Sequence, residues 1–258
     1  MISLLGLGRA ARIVERNAVA YRRAWFVVLS VLAEPVLYLL SIGIGVGELV
    51  GELPGPDGPV SYETFVAPGM MAAVAMNGAV IETTFNFFFR FKYMRSYDAA
   101  LATPLTPRDV AVGELTTALL RGAFYAAAFL TTMALMGLVE SWWGILAVPG
   151  ALLIGFGFAG VGLAATTWMR SFVDFDYINL ALVPLFLFSA TFFPLDRYPD
   201  LIQWVVRATP LYQGVAIERS LMLGDIHWAL LGHAAYLAVM GTIGLCIAAR
   251  RVAHLLQP

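Results

Sequence analysis

Long apolar stretches alternate with shorter polar connections along most of the chain. A helix needs roughly 20 residues to cross the hydrocarbon core of a bilayer, and all but one of the apolar stretches reach that length. The pattern predicts an all-α membrane protein with six transmembrane helices. The predicted spans are 25–46, 65–89, 110–139, 143–169, 177–193 and 228–249, of which 177–193 is the shortest.

Basic residues are concentrated in alternate connections. Twelve of the sixteen lie in the N-terminal segment, the 90–109 loop, the 170–176 turn and the C-terminal segment, whereas the 47–64 connection has none. Because Lys and Arg are enriched in cytoplasmic loops, we expect both termini and the 90–109 loop to be cytoplasmic. Five arginines within residues 1–23 interrupt any signal-peptide core, so we expect the N-terminus to be retained.

Two segments outside the spans have an amphipathic or mixed pattern. Residues 1–23 place Arg9, Arg12 and Arg16 on one helical face and apolar residues on the other, which predicts an N-terminal helix in the membrane interface. The alternative is a basic tail that only enforces orientation. Residues 194–227 are too apolar for a free loop and too interrupted for full spans. They predict two short re-entrant helices between the fifth and sixth spans.

The composition agrees with a membrane location and excludes several other classes. The chain is 60% hydrophobic and 13% charged, with a net charge of −1, so it has no basic surface for nucleic acid. Cys246 is its one cysteine, which rules out an internal disulfide framework and a thiolate metal cluster.

Motifs of catalytic sites are absent from the sequence. Lys92 is the only lysine and does not follow a glycine-rich loop, so the chain lacks the phosphate-binding motif GxxxxGK[ST]. It also lacks HExxH and GxSxG. We expect no catalytic residues and no metal site, although an intramembrane hydrolase assembled from distant residues stays a minor alternative.

Four polar residues stand out inside the predicted spans, where ionisable groups are costly and face protein or water. One interpretation is a gate or a polar lining of a translocation path. The favoured alternative is an ion pair that holds helices together, between Arg121 and Glu82 or between Arg121 and Glu34. The four residues are Glu34, Asn77, Glu82 and Arg121.

Several motifs, in order and at the right spacing, resemble one family of transporter subunits. They are APGMMAAVAMN, the loop ATPLTPRDVAVGE, and FFPLDRYP followed by PLYQGVAIER. Together they are similar to the permease subunits of ABC-2 exporters. The chain is most similar to the branch that includes the nodulation-factor lipooligosaccharide exporter permease and its drug-exporting relatives.

The resemblance implies partners and a substrate class. It implies a dimer with a second permease copy or paralogue, and two copies of a separate ATPase subunit that binds ATP and Mg²⁺, so that this chain itself needs no cofactor. The substrate would be amphipathic: a lipid-linked saccharide, a lipid or a hydrophobic drug, exported across a bacterial plasma membrane.

The resemblance also implies roles for particular residues. A short helix near 95–101, followed by two Thr-Pro turns, would dock on the ATPase and transmit its motion. The coupling residues would be Tyr97, Asp98, Leu101, Thr103, Pro104, Leu105, Thr106 and Arg108, and an outer gate would comprise Phe192, Phe193 and Pro194. The 170–176 turn would be a second cytoplasmic contact.

Two competing classes are a non-transporting membrane anchor and a secondary transporter. An anchor has no need of a stiff proline-bounded loop, whereas a coupled permease does. A secondary transporter usually has internally repeated halves, and residues 1–130 and 131–258 show no such repeat.

Overall fold

A computed structural model describes residues 10–19, 37–41, 43–56, 58–94, 97 and 102–256. Over these ranges the protein is helical except for one β-hairpin and the connections. Two helices border or include residues that are not described. Helix α1 covers 10–19, and α2 covers 37–41 and 43–50. The others are α3 (Tyr62–Tyr93), α4 (Pro107–Leu135), α5 (Trp142–Thr166), α6 (Asp174–Leu187), α7 (Asp200–Ala208), α8 (Pro210–Leu223) and α9 (Ala229–Leu256).

Four of the described helices are long and apolar enough to cross a membrane: α3, α4, α5 and α9. They confirm four of the six predicted spans. Helix α6 occupies the predicted fifth span but has only 14 residues, or about 21 Å at 1.5 Å per residue, which is less than a bilayer core of about 30 Å. The first predicted span lies partly outside the described residues, so these two spans stay predictions.

The 47–64 connection contains secondary structure that the prediction of an all-α fold missed. Strand β1 (Glu52–Gly55) pairs antiparallel with β2 (Gly58–Ser61), with Gly55 opposite Gly58. Gly58 has a φ of 140°, a backbone conformation that residues other than glycine rarely adopt. The sequence PGPDG around the turn was a signal for a hairpin, because Gly and Pro favour turns. We call this end of the molecule the hairpin end, and the end where the 94–107 connection joins α3 to α4 the loop end.

Helix α5 lies at the centre of the fold and packs against α3, α4, α8 and α9. Its backbone comes close to that of α9, where a Cβ atom added to Gly160 would lie 2.3 Å from the carbonyl oxygen of Gly241. Glycines allow backbones to meet in this way, and the contact is typical of helices packed inside membranes. The glycine-rich sequence of α5 is thereby explained by packing.

Two short helices, α7 and α8, occupy the 194–227 segment, as the sequence predicted. Helix α7 is amphipathic: Val206 is buried, whereas Leu201 and Trp204 are 78% and 70% exposed. Helix α8 starts with Pro210 after the N-cap Thr209 and is largely buried, and it ends at Gly224 in the left-handed conformation. Whether the pair dips into the outer leaflet stays a prediction.

Helix α8 carries a carboxyl group that has no counter-charge among the described residues. Glu218 is fully buried, and neither of its carboxylate oxygens has a hydrogen-bond partner among the described residues. Burial raises the pKa of Glu218 well above its ordinary value. The folded protein therefore holds a proton there that the unfolded chain releases above about pH 4.3.

We expect the unfolding free energy to fall as pH rises from about 5 towards alkaline values, because the folded state must give up this proton or keep it at increasing cost. Glu218→Gln mimics the protonated group and should flatten this pH dependence. Thermal unfolding in detergent across the pH series measures it, with Glu48→Gln as the control at an exposed carboxylate. Equal pH dependence in wild type and Glu218→Gln would contradict a protonated Glu218.

Candidate functional site: a buried charge network beside the coupling loop

Glu114 on α4 is the best-connected buried carboxylate among the described residues, with 1% exposure. Its Oε2 lies 2.8 Å from Nη2 of Arg90 on α3. Its Oε1 accepts hydrogen bonds from the Tyr97 hydroxyl at 2.7 Å and from Nη2 of Arg16 on α1 at 3.1 Å. The Asn17 amide donates to both oxygens at 3.2 Å. This one side chain therefore joins α1, α3, α4 and the start of the 94–107 connection.

Glu82 on α3 is the second buried carboxylate of the cluster, with 2% exposure. Its Oε1 accepts a hydrogen bond from Nη2 of Arg90 at 2.8 Å, and its Oε2 accepts one from the Asn86 amide at 2.7 Å. Nη1 of Arg121 on α4 also pairs with Oε2. Because Arg90 contacts both Glu82 and Glu114, five side chains form one array of alternating charge. We call this array the buried charge network: Arg16, Glu114, Arg90, Glu82 and Arg121.

Helix α3 is irregular where it supplies the network. Residues Glu82–Asn86 and Phe89–Tyr93 are π-helical, a local widening that is frequent at functional sites. The two π segments contain Glu82 and Arg90, which would lie about 12 Å apart along the axis of a regular α-helix. The second segment also carries the exposed Lys92. The Thr166 hydroxyl of α5 lies 2.9 Å from the Thr83 carbonyl oxygen in the first segment and supports the distorted backbone.

The structure brings together some of the predicted intramembrane residues. Arg121 contacts Glu82 and donates a hydrogen bond to the Tyr125 hydroxyl at 3.1 Å. Glu34, the other predicted partner, lies outside the described residues. Asn77 is exposed on α3 and is not part of the network.

Sequence reasoning missed three members of the network. Glu114 lies within the predicted span 110–139, so its charge was a direct signal by the rule that also selected Glu82. Arg90 and Arg16 lie next to predicted spans or in the interfacial helix, where they were interpreted only as orienting charges. Within the described ranges no group of His, Cys, Asp or Glu could hold a metal ion, so the network can fix helices and store charge but offers no metal chemistry.

Tyr97, to which the resemblance assigns a coupling role, has a buried side chain. It is 1% exposed, and its ring lies 5.4 Å from that of Phe87 and 6.3 Å from that of Phe91. A contribution of Tyr97 to coupling therefore requires an internal contact, namely its hydrogen bond to Glu114. Asp98 and Leu101, and the rest of the predicted coupling helix, lie outside the described residues.

The second half of the predicted coupling segment contains exposed residues and anchoring residues. Thr103, Pro104 and Arg108 are exposed, whereas Leu105 packs against the core. The Thr106 hydroxyl accepts a hydrogen bond from the Asp109 amide at 3.3 Å, while Oδ2 of Asp109 accepts one from the Thr106 amide at 2.8 Å. This capping box, with proline at the first helical turn, starts α4 at Pro107, three residues before the predicted span.

The 170–176 turn lies beside the end of α3, at the loop end. Oδ2 of Asp174 accepts hydrogen bonds from the amides of Arg170 and Ser171 at 2.6 and 3.0 Å, and these donors lower the pKa of the Asp174 carboxyl. The Phe172 ring lies 5.1 Å from the ring of Tyr93. The 170–176 turn thus packs against the end of α3 that precedes the predicted coupling segment.

The predicted outer-gate residues are at the hairpin end. The Phe192 ring packs at 5.1 Å against Phe186 of α6, and Phe193 is 55% exposed. Pro194 precedes a short 3₁₀ turn, Leu195–Arg197. Of the three, Phe192 is the residue whose ring packs against another aromatic ring among the described residues.

Residues 10–223 match the sequence model of the family described as ABC-2 type transporter. The match covers most of the chain, so the protein belongs to this family. It is a membrane permease subunit, and the family normally works with a separate ATPase subunit. The resemblance predicted from the sequence motifs is confirmed.

Individual relatives agree with this class. The chain is 34% identical over 213 residues to nodulation protein J of Rhizobium leguminosarum bv. trifolii, covering 81% of this chain and 79% of that protein. It is 32% identical over 214 residues to nodulation protein J of Rhizobium meliloti (strain 1021), covering 82% and 80%. It is 23% identical over 208 residues to the inner membrane transport permease YadH of Escherichia coli (strain K12), covering 79% and 78%.

Proposed function

We propose that this chain is the permease of an ATP-driven exporter that moves an amphipathic molecule out of the cytoplasm or the inner leaflet of a bacterial plasma membrane. The substrate class is a lipid-linked saccharide, a lipid or a hydrophobic drug. The working complex contains two permease chains and two ATPase subunits, which bind the ATP and Mg²⁺. Both termini face the cytoplasm, on the same side as the loop end.

The observation that carries this proposal is the buried charge network. Separating one partner from a buried ion pair costs about 3–5 kcal/mol, so α1, α3 and α4 resist moving apart where the network joins them. Tyr97 attaches the coupling loop to the same carboxylate. A displacement of the loop by the ATPase is therefore passed to three helices at once.

In this mechanism the exposed residues Thr103, Pro104 and Arg108 contact the ATPase, together with Asp98 and Leu101. Leu105 and Thr106 anchor the loop to the core and to the start of α4. ATP favours the closed ATPase pair because it binds that state more tightly than the open one. Closure pushes the loop, and α3 and α4 then shift to open the path between the two permeases.

Other predicted site residues take different roles. Glu82 and Arg121 hold α3 to α4, and Glu34 is a further candidate for this polar layer. Asn77 faces away from the network and is available to the translocation path or to the second permease. Phe192, Phe193 and Pro194 close the path at the hairpin end.

Purification of the tagged chain from its native membrane in mild detergent tests the proposal. We expect a stoichiometric partner that carries a phosphate-binding loop, and ATP hydrolysis in the purified complex. A chain that purifies alone, or with an unrelated enzyme, would overturn the assignment to an ATP-driven exporter.

Tyr97→Phe tests the coupling route. The variant keeps the ring packing but loses the hydrogen bond to Glu114, which is worth about 1.5–3 kcal/mol for a charged acceptor. We expect the complex to assemble and hydrolyse ATP, with dye transport into inside-out vesicles reduced about tenfold per hydrolysed ATP. Tyr93→Phe, at an exposed tyrosine of α3, is the control. An unchanged transport-to-hydrolysis ratio in Tyr97→Phe would remove this hydrogen bond from the mechanism.

A further inference from the structure

A cavity of about 390 Å³ opens at the hairpin end of the molecule. Its wall is built from the hairpin turn, the start of α3, the 190–195 segment, α8 and the connection to α9. The buried charge network contacts the opposite, loop end of α3. The cavity is therefore separate from the coupling site.

Arg219 of α8 is the cation of this cavity. Its Nε donates to the Phe65 carbonyl oxygen at 3.3 Å, and its Nη2 donates to the carbonyl oxygens of Ala190 and Thr191 at 2.8 and 3.3 Å. The guanidinium carbon lies 3.8 Å from the centroid of the Phe65 ring. Main-chain carbonyls and an aromatic face thus fix the group in place without neutralising it.

The charge of Arg219 is not balanced by a carboxylate within the described part of the chain. No described acidic side chain forms an ion pair with it, and its Nη1 has no hydrogen-bond partner there. Burial lowers the pKa of Arg219 to about 10, so the group still carries its proton at neutral pH. Asp225 is the one acidic residue among the described residues that line the cavity, and its carboxylate is 58% exposed and lies 3.7 Å from Nδ1 of His227.

The other polar residues that line the cavity are hydrogen-bond donors or can become donors. Tyr212 and Ser220 contribute hydroxyl groups, and His227 and His233 contribute imidazoles. Gln213 donates its amide to the Arg207 carbonyl oxygen and therefore presents Oε1 to Nδ1 of His233. That contact fixes the imidazole proton on Nδ1 and leaves Nε2 of the neutral ring as an acceptor, so the free edge of His233 donates only when the ring is protonated.

We propose that this cavity is an oxyanion-binding site that takes a phosphate group, with Arg219 as its cation and the Tyr212 and Ser220 hydroxyl groups as further donors. The guanidinium is held rigidly by its Nε and Nη2 contacts, and the N–H groups of Nη1 can donate charge-assisted hydrogen bonds to a phosphate oxygen. The phosphate belongs either to a lipid headgroup or to a small free anion. Anion binding at this site requires neither the ATPase nor transport. The test of the site is therefore independent of the test of the proposed function.

The test uses the full chain alone in a neutral detergent, titrated with inorganic phosphate or with mixed micelles of phosphatidylglycerol or phosphatidylcholine. Thermal unfolding is the readout, because a ligand that binds the folded state raises the melting temperature. We expect phosphatidylglycerol or inorganic phosphate to stabilise the wild type, and phosphatidylcholine to do so less. Stabilisation by phosphatidylglycerol alone identifies a lipid headgroup, and stabilisation by inorganic phosphate identifies a free anion.

Two variants and one control assign the effect to the cavity. Arg219→Gln removes the charge, and Ala216→Leu fills the cavity from the exposed side of α8 while keeping Arg219. Arg219→Gln should weaken anion binding at least about tenfold through the loss of one charge-assisted hydrogen bond. Ala216→Leu should weaken it by a similar factor because the larger side chain occupies space in the cavity. Arg207→Gln, which removes an exposed arginine outside the cavity, should bind as the wild type does.

The proposal is overturned if neither anion stabilises the wild type, or if Ala216→Leu responds as strongly as the wild type. If Arg219→Gln does not fold, the comparison of Ala216→Leu with Arg207→Gln still decides between these outcomes.

Discussion

A Glu114→Leu variant is expected to lose about 3–5 kcal/mol of unfolding free energy, the usual cost of removing one partner from a buried ion pair. The substitution introduces an apolar side chain of similar size. It leaves the Arg90 guanidinium paired with Glu82 alone, and it removes the carboxylate that accepts hydrogen bonds from Tyr97 and Asn17. Thermal unfolding of the purified permease in detergent measures the loss. The yield of protein inserted in the membrane should fall with it.

An exposed ion pair on α1 provides the matched control. Arg12 and Glu15 are 2.9 Å apart, with side chains that are 74% and 64% exposed, and exposed pairs contribute little to stability. Glu15→Leu should therefore leave the melting temperature nearly unchanged. If Glu114→Leu and Glu15→Leu behave alike, the buried charge network does not hold the helices together.

A Gly160→Ala variant should disrupt the packing of α5 on α9. The added Cβ would lie 2.3 Å from the Gly241 carbonyl oxygen and 3.0 Å from the Gly241 Cα, so two backbones would have to separate. Overpacking in a close-packed core costs about 1–3 kcal/mol and sometimes more, and a backbone contact cannot be relieved by rotating a side chain. The melting temperature in detergent should fall accordingly.

The same helix supplies the control for this substitution. A Cβ added to Gly155 would meet only Leu119 and Ala79, at 3.6 and 4.0 Å, which are ordinary contact distances. Gly155→Ala should be neutral, or stabilising by up to about 1 kcal/mol through helix propensity. Equal destabilisation by both variants would show that alanine is unfavourable at either glycine of α5 and that the crossing at Gly160 has no special role.

The sequence allowed the long spans and the family to be predicted, because hydropathy over roughly 20 residues is a local property. It did not allow the ends of α3 and α4 to be placed. Those ends depend on π-helical turns and on a capping box whose acidic partner is Asp109 instead of the more usual Glu.

The buried charge network was only partly predictable because it is long-range. Asn17 and Glu114, which share hydrogen bonds, are 97 positions apart, and nothing in one sequence relates them. The hypothesis paired Arg121 with Glu82 or Glu34 because all three stand out as charges in apolar surroundings, and the structure has Arg121 in contact with Glu82. Tyr97 was assigned to the exposed loop since its burial depends on Phe87 and Phe91 packing beneath it.

The cavity around Arg219 could not be predicted from the sequence. The residues that line it come from segments up to 179 positions apart, from Pro54 to His233. Arg219 is one of the four basic residues outside the segments predicted to be cytoplasmic, and nothing in the sequence singled it out. Its lack of a carboxylate partner is a property of the folded chain.

The exposed Lys92, in the second π-helical segment of α3, gives the protein a built-in labelling handle. Because no other lysine is present, an amine-reactive fluorophore can mark one side chain within the loop end without any engineered cysteine. Its emission would report on movement beside Arg90 during the ATPase cycle.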